Sequence, residues 1–373
     1  MAESGGGAGR GAHDGRERDG AAGRRPSRRA VLRWGGAAGL AGATAVGAWQ
    51  LSALAAGGGP SGRLRFTTGV PTGVYHMYAE QLLKAFRHDL PDVRVELAPS
   101  QGSVENLRRL ATGEADLGFV AADAVADYCG EGQDRLRAVA RLYDDYIQLV
   151  VPRNSPVRTI WDLRGLRVGI GQPKSGVELV TRRLLKAAEL VPDVDFEAVA
   201  VSIDRAPALL RGDGADAAER LDAFFWSGGL PTRAVSELVE PSVEGVRPFP
   251  VRLVPLDGLA ETLHQLPAPA DACHAQPLRA YRVSTVPAGT YRVRGSREVP
   301  AAVPTIAVPN LLVCNEGLER RLAEAATRVV MDSRDRIGEE VHSAQLVDLR
   351  TAIYTHPLAL HTGAQDYYRS VKP

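Results

Sequence analysis

The sequence predicts an α/β protein folded as two lobes. Three observations predict it. Short apolar runs alternate with segments of helical spacing from about residue 63 onward. The alternation restarts near residue 160, and a late apolar run at 305–313 is followed by further helical pattern. Strand–helix alternation argues for a mainly parallel sheet with helices packed on it. A restart followed by a return argues for two such units, joined by crossing strands near 149–152 and 305–309.

The elements follow in order. Leu64–Thr68 reads as a strand, and Val74, Met77, Tyr78, Leu82 and Phe86 place an apolar stripe on a helix over 74–87. Val93–Leu97 alternates as a strand, Val104–Leu110 is helical up to Gly113, and Leu117–Val120 is a buried strand. Asp123–Tyr128 opens a helix; Arg137–Arg141 and Ile147–Val151 read as two more strands. The second unit has a short helix at Ile160–Leu163, strands at Arg167–Ile170 and Phe196–Val201, and a long helix at Val177–Ala188. Ala206–Arg211 and Thr232–Val239 are helical, and Ala223–Trp226 and Val251–Pro255 are strands. Residues 266–304 are rich in Pro and Gly and read as irregular; Thr305–Val313 is a strand, and amphipathic helices cover Leu318 to about Val341.

Composition excludes several function classes. With 373 residues, 45% hydrophobic and 24% charged, the chain can bury a sizeable core and is neither disordered nor membrane-embedded as a whole. The net charge of +1 is unevenly spread: residues 1–33 hold eight Arg and four acids, leaving 37 basic and 40 acidic side chains elsewhere. A slightly acidic body lacks the basic face of a nucleic-acid binder. Cys129, Cys273 and Cys314 match no metal spacing; they permit one disulfide and leave at least one free thiol.

The N-terminus reads as an address. Residues 1–26 form a polar leader with little to bury. At 27–56, Ser27-Arg28-Arg29 precedes an uncharged run from Trp34 to Gly62 that passes an A-x-A site at Ala53–Ala55. This resembles a twin-arginine secretion signal, or, if uncut, a membrane anchor. Either places the body outside the cytoplasm.

The chemistry is expected in Gly/Ser/Thr loops between strands and helices: Thr67–Tyr75, Pro99–Asn106, Gly171–Glu178 and Trp226–Thr232. Such loops present first-turn N–H groups and the positive end of the helix dipole, which suit carboxylates or phosphates. Ordinary N-capping explains any single loop; four loops, two per unit, point to a shared cleft. No phosphate-binding or dinucleotide motif is present, and no nucleophile elbow or metal-binding His motif. His76, beside the first loop, is the one histidine placed to line the cleft. Asp144-Asp145 is a carboxylate pair, but adjacent side chains diverge, which argues against a catalytic dyad.

At these loops the sequence resembles the TAXI family of extracytoplasmic solute-binding proteins. TTGVPTGVYHMYAEQLLKAF, APSQGSVENLRRLATGEADLGFVAAD, GIGQPKSGVEL, DAFFWSGGLPTRAVSEL, VPAGTY, VPTIAVPNLLVCNE and LHTGAQDYYR carry the resemblance, in order, over nearly the whole body. It implies a periplasmic-binding-protein type II fold, with lobe 1 at 63–149, lobe 2 at 150–307 and a return to lobe 1 at 308–373. It implies capture of a small carboxylate-bearing solute, glutamate-like or another organic acid, and delivery to a TRAP permease. No enzyme activity, cofactor or metal, no nucleic acid and a monomer are implied. The alternative use of the same cleft is a sensory module acting on a membrane receptor.

Carried over residue by residue, the resemblance assigns Gly69, Thr72, Gly73 and Tyr75 in the first loop to the pocket. Ser100, Gly102 and Ser103 follow in the second, then Asp123. The other lobe contributes Ser175, Gly176, Gly228, Gly229, Thr232 and Tyr291. Ser103 and Ser175 would hold a carboxylate, and Tyr75 and Tyr291 would form a wall with a polar tip. Asp123 would pair with a ligand amine or cap a helix. Two residues depart from the family pattern: Lys174, facing either cleft or solvent, and Trp226, which narrows the pocket.

Overall fold

The computed structural model describes residues 59–213, 216–266 and 280–372. The expected leader at 1–26, the signal or anchor at 27–56 and Cys273 lie outside the described residues. Among the described residues no helix is long and apolar enough to cross a membrane.

Ten strands form one curled sheet in the order β2-β1-β3-β10-β4-β7-β5-β6, with β8 on β4 and β9 on β10. The strands are β1 (Gly62–Thr67), β2 (Val93–Ala98), β3 (Leu117–Ala121), β4 (Leu136–Pro152), β5 (Arg167–Gly171), β6 (Glu197–Ala200), β7 (Ala223–Gly228), β8 (Val251–Val254), β9 (Arg282–Val286) and β10 (Val303–Asn315). The helices are α1 (Val74–Asp89), α2 (Ser103–Ala111), α3 (Ala122–Asp127), α4 (Gly176–Ala187), α5 (Ala206–Arg211), α6 (Arg233–Val239), α7 (Ala260–Gln265), α8 (Arg320–Gly338) and α9 (Thr362–Val371).

The parallel sheet expected from alternation is present only in the two outer parts. β1 pairs in parallel with β2 and β3, and β5 with β6 and β7. Between them run two long antiparallel strands, β4 and β10. The two strands expected at 137–141 and 147–151 are one 17-residue strand, β4. β4 pairs with β10 up to Tyr146, then with β7 from Tyr146 and β8 from Leu149. The chain therefore passes from one half to the other at Tyr146, just before the expected 149–152. Pro309 lacks an N–H, and the β10 register shifts between Pro309 and Leu311.

The first half is held by a core of Leu64, Phe66, Tyr78, Leu82, Phe86 and Phe119. The α1 stripe buries Tyr78, Ala79, Leu82, Ala85 and Phe86, as its spacing requires. Phe119 anchors it, with ring centroids 5.1 Å from Phe66 and 5.3 Å from Tyr78. Each such side chain contributes about 1.5–3 kcal/mol of burial. The second half buries Val150, Leu210, Phe224, Val235 and Leu253. A third cluster, including Leu107, Ile147, Val168 and Leu184, spans the junction.

The C-terminal segment folds back on the first half. Glu319 caps α8 by accepting from the N–H groups of Arg321 and Leu322. The start of α9 presses against it: a Cβ on Gly363 would lie 2.1 Å from the Arg320 carbonyl oxygen and 2.8 Å from Glu324 N. Both contacts are backbone and neither can yield. Gly363→Ala is expected to cost about 3 kcal/mol or more, read as a lowered midpoint in urea unfolding; an unchanged midpoint would contradict this packing.

Cys129 is disulfide-bonded. Cys314 is a free thiol buried in β10, where burial pushes its pKa up to about 12. It behaves as a small apolar residue.

Candidate functional site

Strand-to-helix loops from both halves line a partly open cavity of about 80 Å³. That is several times the roughly 10–15 Å³ one water needs. From the first half come Gly69 and Gly73, Tyr75 in the first turn of α1, Gly102 and Ser103 at the start of α2, and Asp123 in α3. From the second come Ser175 and Gly176 at the start of α4 and Gly228 at the end of β7.

The loops touch across the cavity. Gln172 Nε2 donates to the Gln101 carbonyl at 3.1 Å, and the Thr72 hydroxyl donates to the Asp204 carboxylate. A Cβ on Gly102 would lie 3.7 Å from Gly176 N, and one on Gly176 would lie 3.2 Å from Ser103 Oγ. The starts of α2 and α4 thus face each other closely. Gly102 has φ +123°, which a side-chain-bearing residue rarely adopts, so glycine makes this approach feasible.

Helices α1 and α2 are capped by Gly73 and Gly102, with no side-chain cap. Their first-turn N–H groups therefore lack the usual side-chain acceptor. At α4, Ser175 Oγ accepts from Glu178 N at 3.1 Å and donates to the Gln172 carbonyl at 2.6 Å. Ser103 Oγ accepts from Ala121 N at 3.0 Å and meets the Tyr75 hydroxyl at 3.2 Å. The two hydroxyls expected to hold a carboxylate are thus engaged within the protein. What these helix starts offer an anion is main-chain N–H and dipole.

The other expected site residues do not line the cavity. Ser100 Oγ donates to the Thr68 carbonyl and accepts from Gly102 N, both at 3.1 Å, and so shapes the second loop. Thr72 bridges to Asp204 at the rim. A Cβ on Gly229 would collide with Ser343 Oγ at 2.1 Å, so this glycine serves packing. Tyr291 is a buried strut: its hydroxyl donates to Gln148 Oε1 at 2.6 Å and accepts from Thr232 N at 3.0 Å. Gln148 Nε2 closes the ring on Thr232 Oγ1 at 3.0 Å. Burial pushes the Tyr291 phenol up to about 12. His76 faces Thr68 Oγ1 at 3.0 Å outside the cavity wall. Lys174 is exposed and also stands outside it, while Trp226 lines it.

Asp123 lines the cavity, but its carboxylate is occupied. It accepts from the Tyr281 hydroxyl at 2.8 Å and from Ala124 N at 2.8 Å, and Arg183 Nη1 stands 3.6 Å away. Burial raises its pKa, opposed by the charge of Arg183 and the bond from Tyr281. Arg183 also pairs with Asp127 and lies over the Tyr281 ring at 5.7 Å.

Asp145 is the residue the sequence reading passed over. It lines the cavity, is 7% exposed, and among the described residues no Lys, Arg or His pairs with it. Burial pushes its pKa up to about 7, helped by the charges of Asp123 and Asp144 and opposed by the Asn310 amide. The Asn310 Nδ2 itself makes no hydrogen bond of ordinary geometry. Asp144 instead sits at the surface between Arg141 and Arg282. The divergence of adjacent side chains is what sends one carboxylate outward and the other into the cavity.

Known proteins were compared with the whole chain. The periplasmic aliphatic sulphonate binding protein SsuA of Escherichia coli is 14% identical, with 84% of each chain covered and a TM-score of 0.43. A putative L-cystine ABC transporter protein of Listeria monocytogenes is 14% identical over 77% of this chain and 98% of its own, TM-score 0.44. An ancestral arginine-binding protein bound to arginine is 14% identical over 75% and 97%, TM-score 0.44. The family assignment comes from the sequence itself: residues 66–371 match the NMT1-like family, and the chain belongs to it.

Proposed function

We propose that this protein is an extracytoplasmic solute-binding protein. It captures a small carboxylate-bearing solute between its two halves and hands it to a membrane permease of the TRAP type. The observation that carries this reading is the cavity between the halves, walled by loops of both that touch across it at Gln101–Gln172 and Thr72–Asp204. A binder that closes over its ligand gains affinity from both walls, and its closed form presents a surface the open form lacks. The uncapped helix starts at Gly73 and Gly102 and the start of α4 supply an anion-binding end without a basic side chain. The resemblance to the TAXI family supports the TRAP partner and the absence of turnover.

The test is a melting series of the purified full chain with amino acids, hydroxy and oxo acids, dicarboxylates and sulfonates. A true ligand binds only the folded state, so its effect grows with concentration, reaching about 2.7 kcal/mol at 100 times Kd. The expected result is one chemical class binding at sub-micromolar Kd and recovered unchanged. A panel without a hit, or a solute converted by the protein, overturns the reading.

A further inference from the structure

Among the described residues, one carboxylate of the cavity wall has no balancing positive charge. Asp123 is satisfied by Tyr281 and Arg183, and Asp144 by Arg141 and Arg282. Asp145 is buried at the cavity wall with no cationic side chain paired to it among the described residues. It sits opposite Val308, itself a wall residue, at the point where β4 changes partners between the halves.

A second observation points the same way. Tyr143, on the same strand, lines the cavity, and its buried hydroxyl has no hydrogen-bond partner. Asn310, whose Oδ1 accepts from the Tyr75 hydroxyl, is the neutral amide beside Asp145 and brings it no positive charge. Buried polar groups are ordinarily paired, and an unpaired carboxylate is the costliest exception. Two such exceptions, the Asp145 carboxylate and the Tyr143 hydroxyl, stand on one strand at the cavity wall. The helix starts of α1, α2 and α4, which favour negative charge, form other parts of that wall.

We propose that Asp145 is the anchor for a protonated amine on the captured solute, so that the solute carries an ammonium group as well as a carboxylate. The inference rests on the solute-capture reading above and narrows it. Amine-free organic acids and sulfonates would leave Asp145 buried and unpaired, and are rejected for that reason. Asp145 thus takes the part that the sequence reading gave to Asp123.

The test is calorimetry on the full chain with matched pairs: L-glutamate against 2-hydroxyglutarate and 2-oxoglutarate, L-leucine against 2-hydroxyisocaproate, and L-alanine against L-lactate. Within the pair that binds, loss of the amine is expected to weaken binding at least 100-fold. Asp145→Asn is expected to weaken the amino acid at least 30-fold while changing the hydroxy acid less than threefold. An amine-free acid that binds as tightly as its amino counterpart overturns the inference and leaves solute capture standing. So does an Asp145→Asn protein that melts cooperatively and keeps full affinity. No binding by any member of any pair overturns both readings. The wild-type pairs decide the matter even if the variant does not fold.

Discussion

Asp145→Asn is expected to stabilise the ligand-free protein at pH 8 by up to about 4 kcal/mol. The figure is the free energy, about 1.36 kcal/mol for each tenfold change in proton affinity, of holding that carboxylate's pKa near 7 in place of 3.8. Burial raises the Asp145 pKa from the ordinary 3.8 to about 7 in the folded protein. Between these values the folded chain holds a proton that the unfolded chain has lost. Stability from this group is therefore full below about 3.8, falls as pH rises through the window, and stays low above about 7. The titratable groups around Asp145 are Asp123 on α3, Asp144 and Tyr143 on β4, and Tyr75 on α1. The two tyrosines are held well above their ordinary range and stay neutral throughout. Guanidinium unfolding of wild type and variant at pH 4, 6 and 8 checks this. The gap between them is expected to widen from pH 4 to pH 8; a constant gap, or a variant less stable at pH 8, contradicts it.

Arg183→Ala is expected to cost about 3–5 kcal/mol. Removing one partner of a buried ion pair leaves the other charge uncompensated. Arg183 is the buried cation shared by Asp123, Asp127 and the Tyr281 hydroxyl, which its Nη1 meets at 2.8 Å. Its loss leaves Asp123 buried with only Tyr281 and Ala124 N for support. A double-mutant cycle with Asp123→Asn is expected to recover at least about 1 kcal/mol, since the neutral amide no longer needs the cation. Additive effects of the two substitutions would show that they do not form one network. Because the pair joins α3 to α4, the cycle also measures how firmly the two halves are held together at that wall.

Most elements could be read directly from the sequence because their causes are local. The α1 stripe at Val74, Met77, Tyr78, Leu82 and Phe86 falls at helical spacing, and the buried face follows it. Leu117–Ala121 is apolar throughout and is buried on both faces as β3. The loops were marked by their strand-to-helix placement and Gly69, Gly73, Gly102, Ser175 and Gly176 within them by the family resemblance, and each of these lines the cavity. The same resemblance marked Gly229 and Thr232, which do not line it. A loop's position at a strand end is local; which of its residues faces the gap depends on the opposite half.

The misread features have non-local causes. The polar stretch at Asp144-Asp145 separates two apolar runs, and β4 was read as two strands on either side of it. Antiparallel pairing with β10 carries the strand through it, and the exchange of partners at Tyr146 is set by β7. Nothing within 136–152 encodes a partner that arrives 80 residues later. Tyr291 was read as a pocket wall from its motif, yet Gln148 and Thr232 claim its hydroxyl. The sequence by itself determined most of the strands and helices and the loops that gather at the cavity; that Lys174 stands outside the wall, and that Arg282–Val286 forms β9 in a stretch read as irregular, came from the structure. The elements and loops that were read depend on periodicity, glycine and side-chain chemistry, which act over a few residues. Only the tertiary structure decided which carboxylate is neutralised and which faces the cavity. Arg183 lies 60 positions from Asp123, and among the described residues no cation pairs with Asp145, so their charges were settled by packing between segments far apart in the chain.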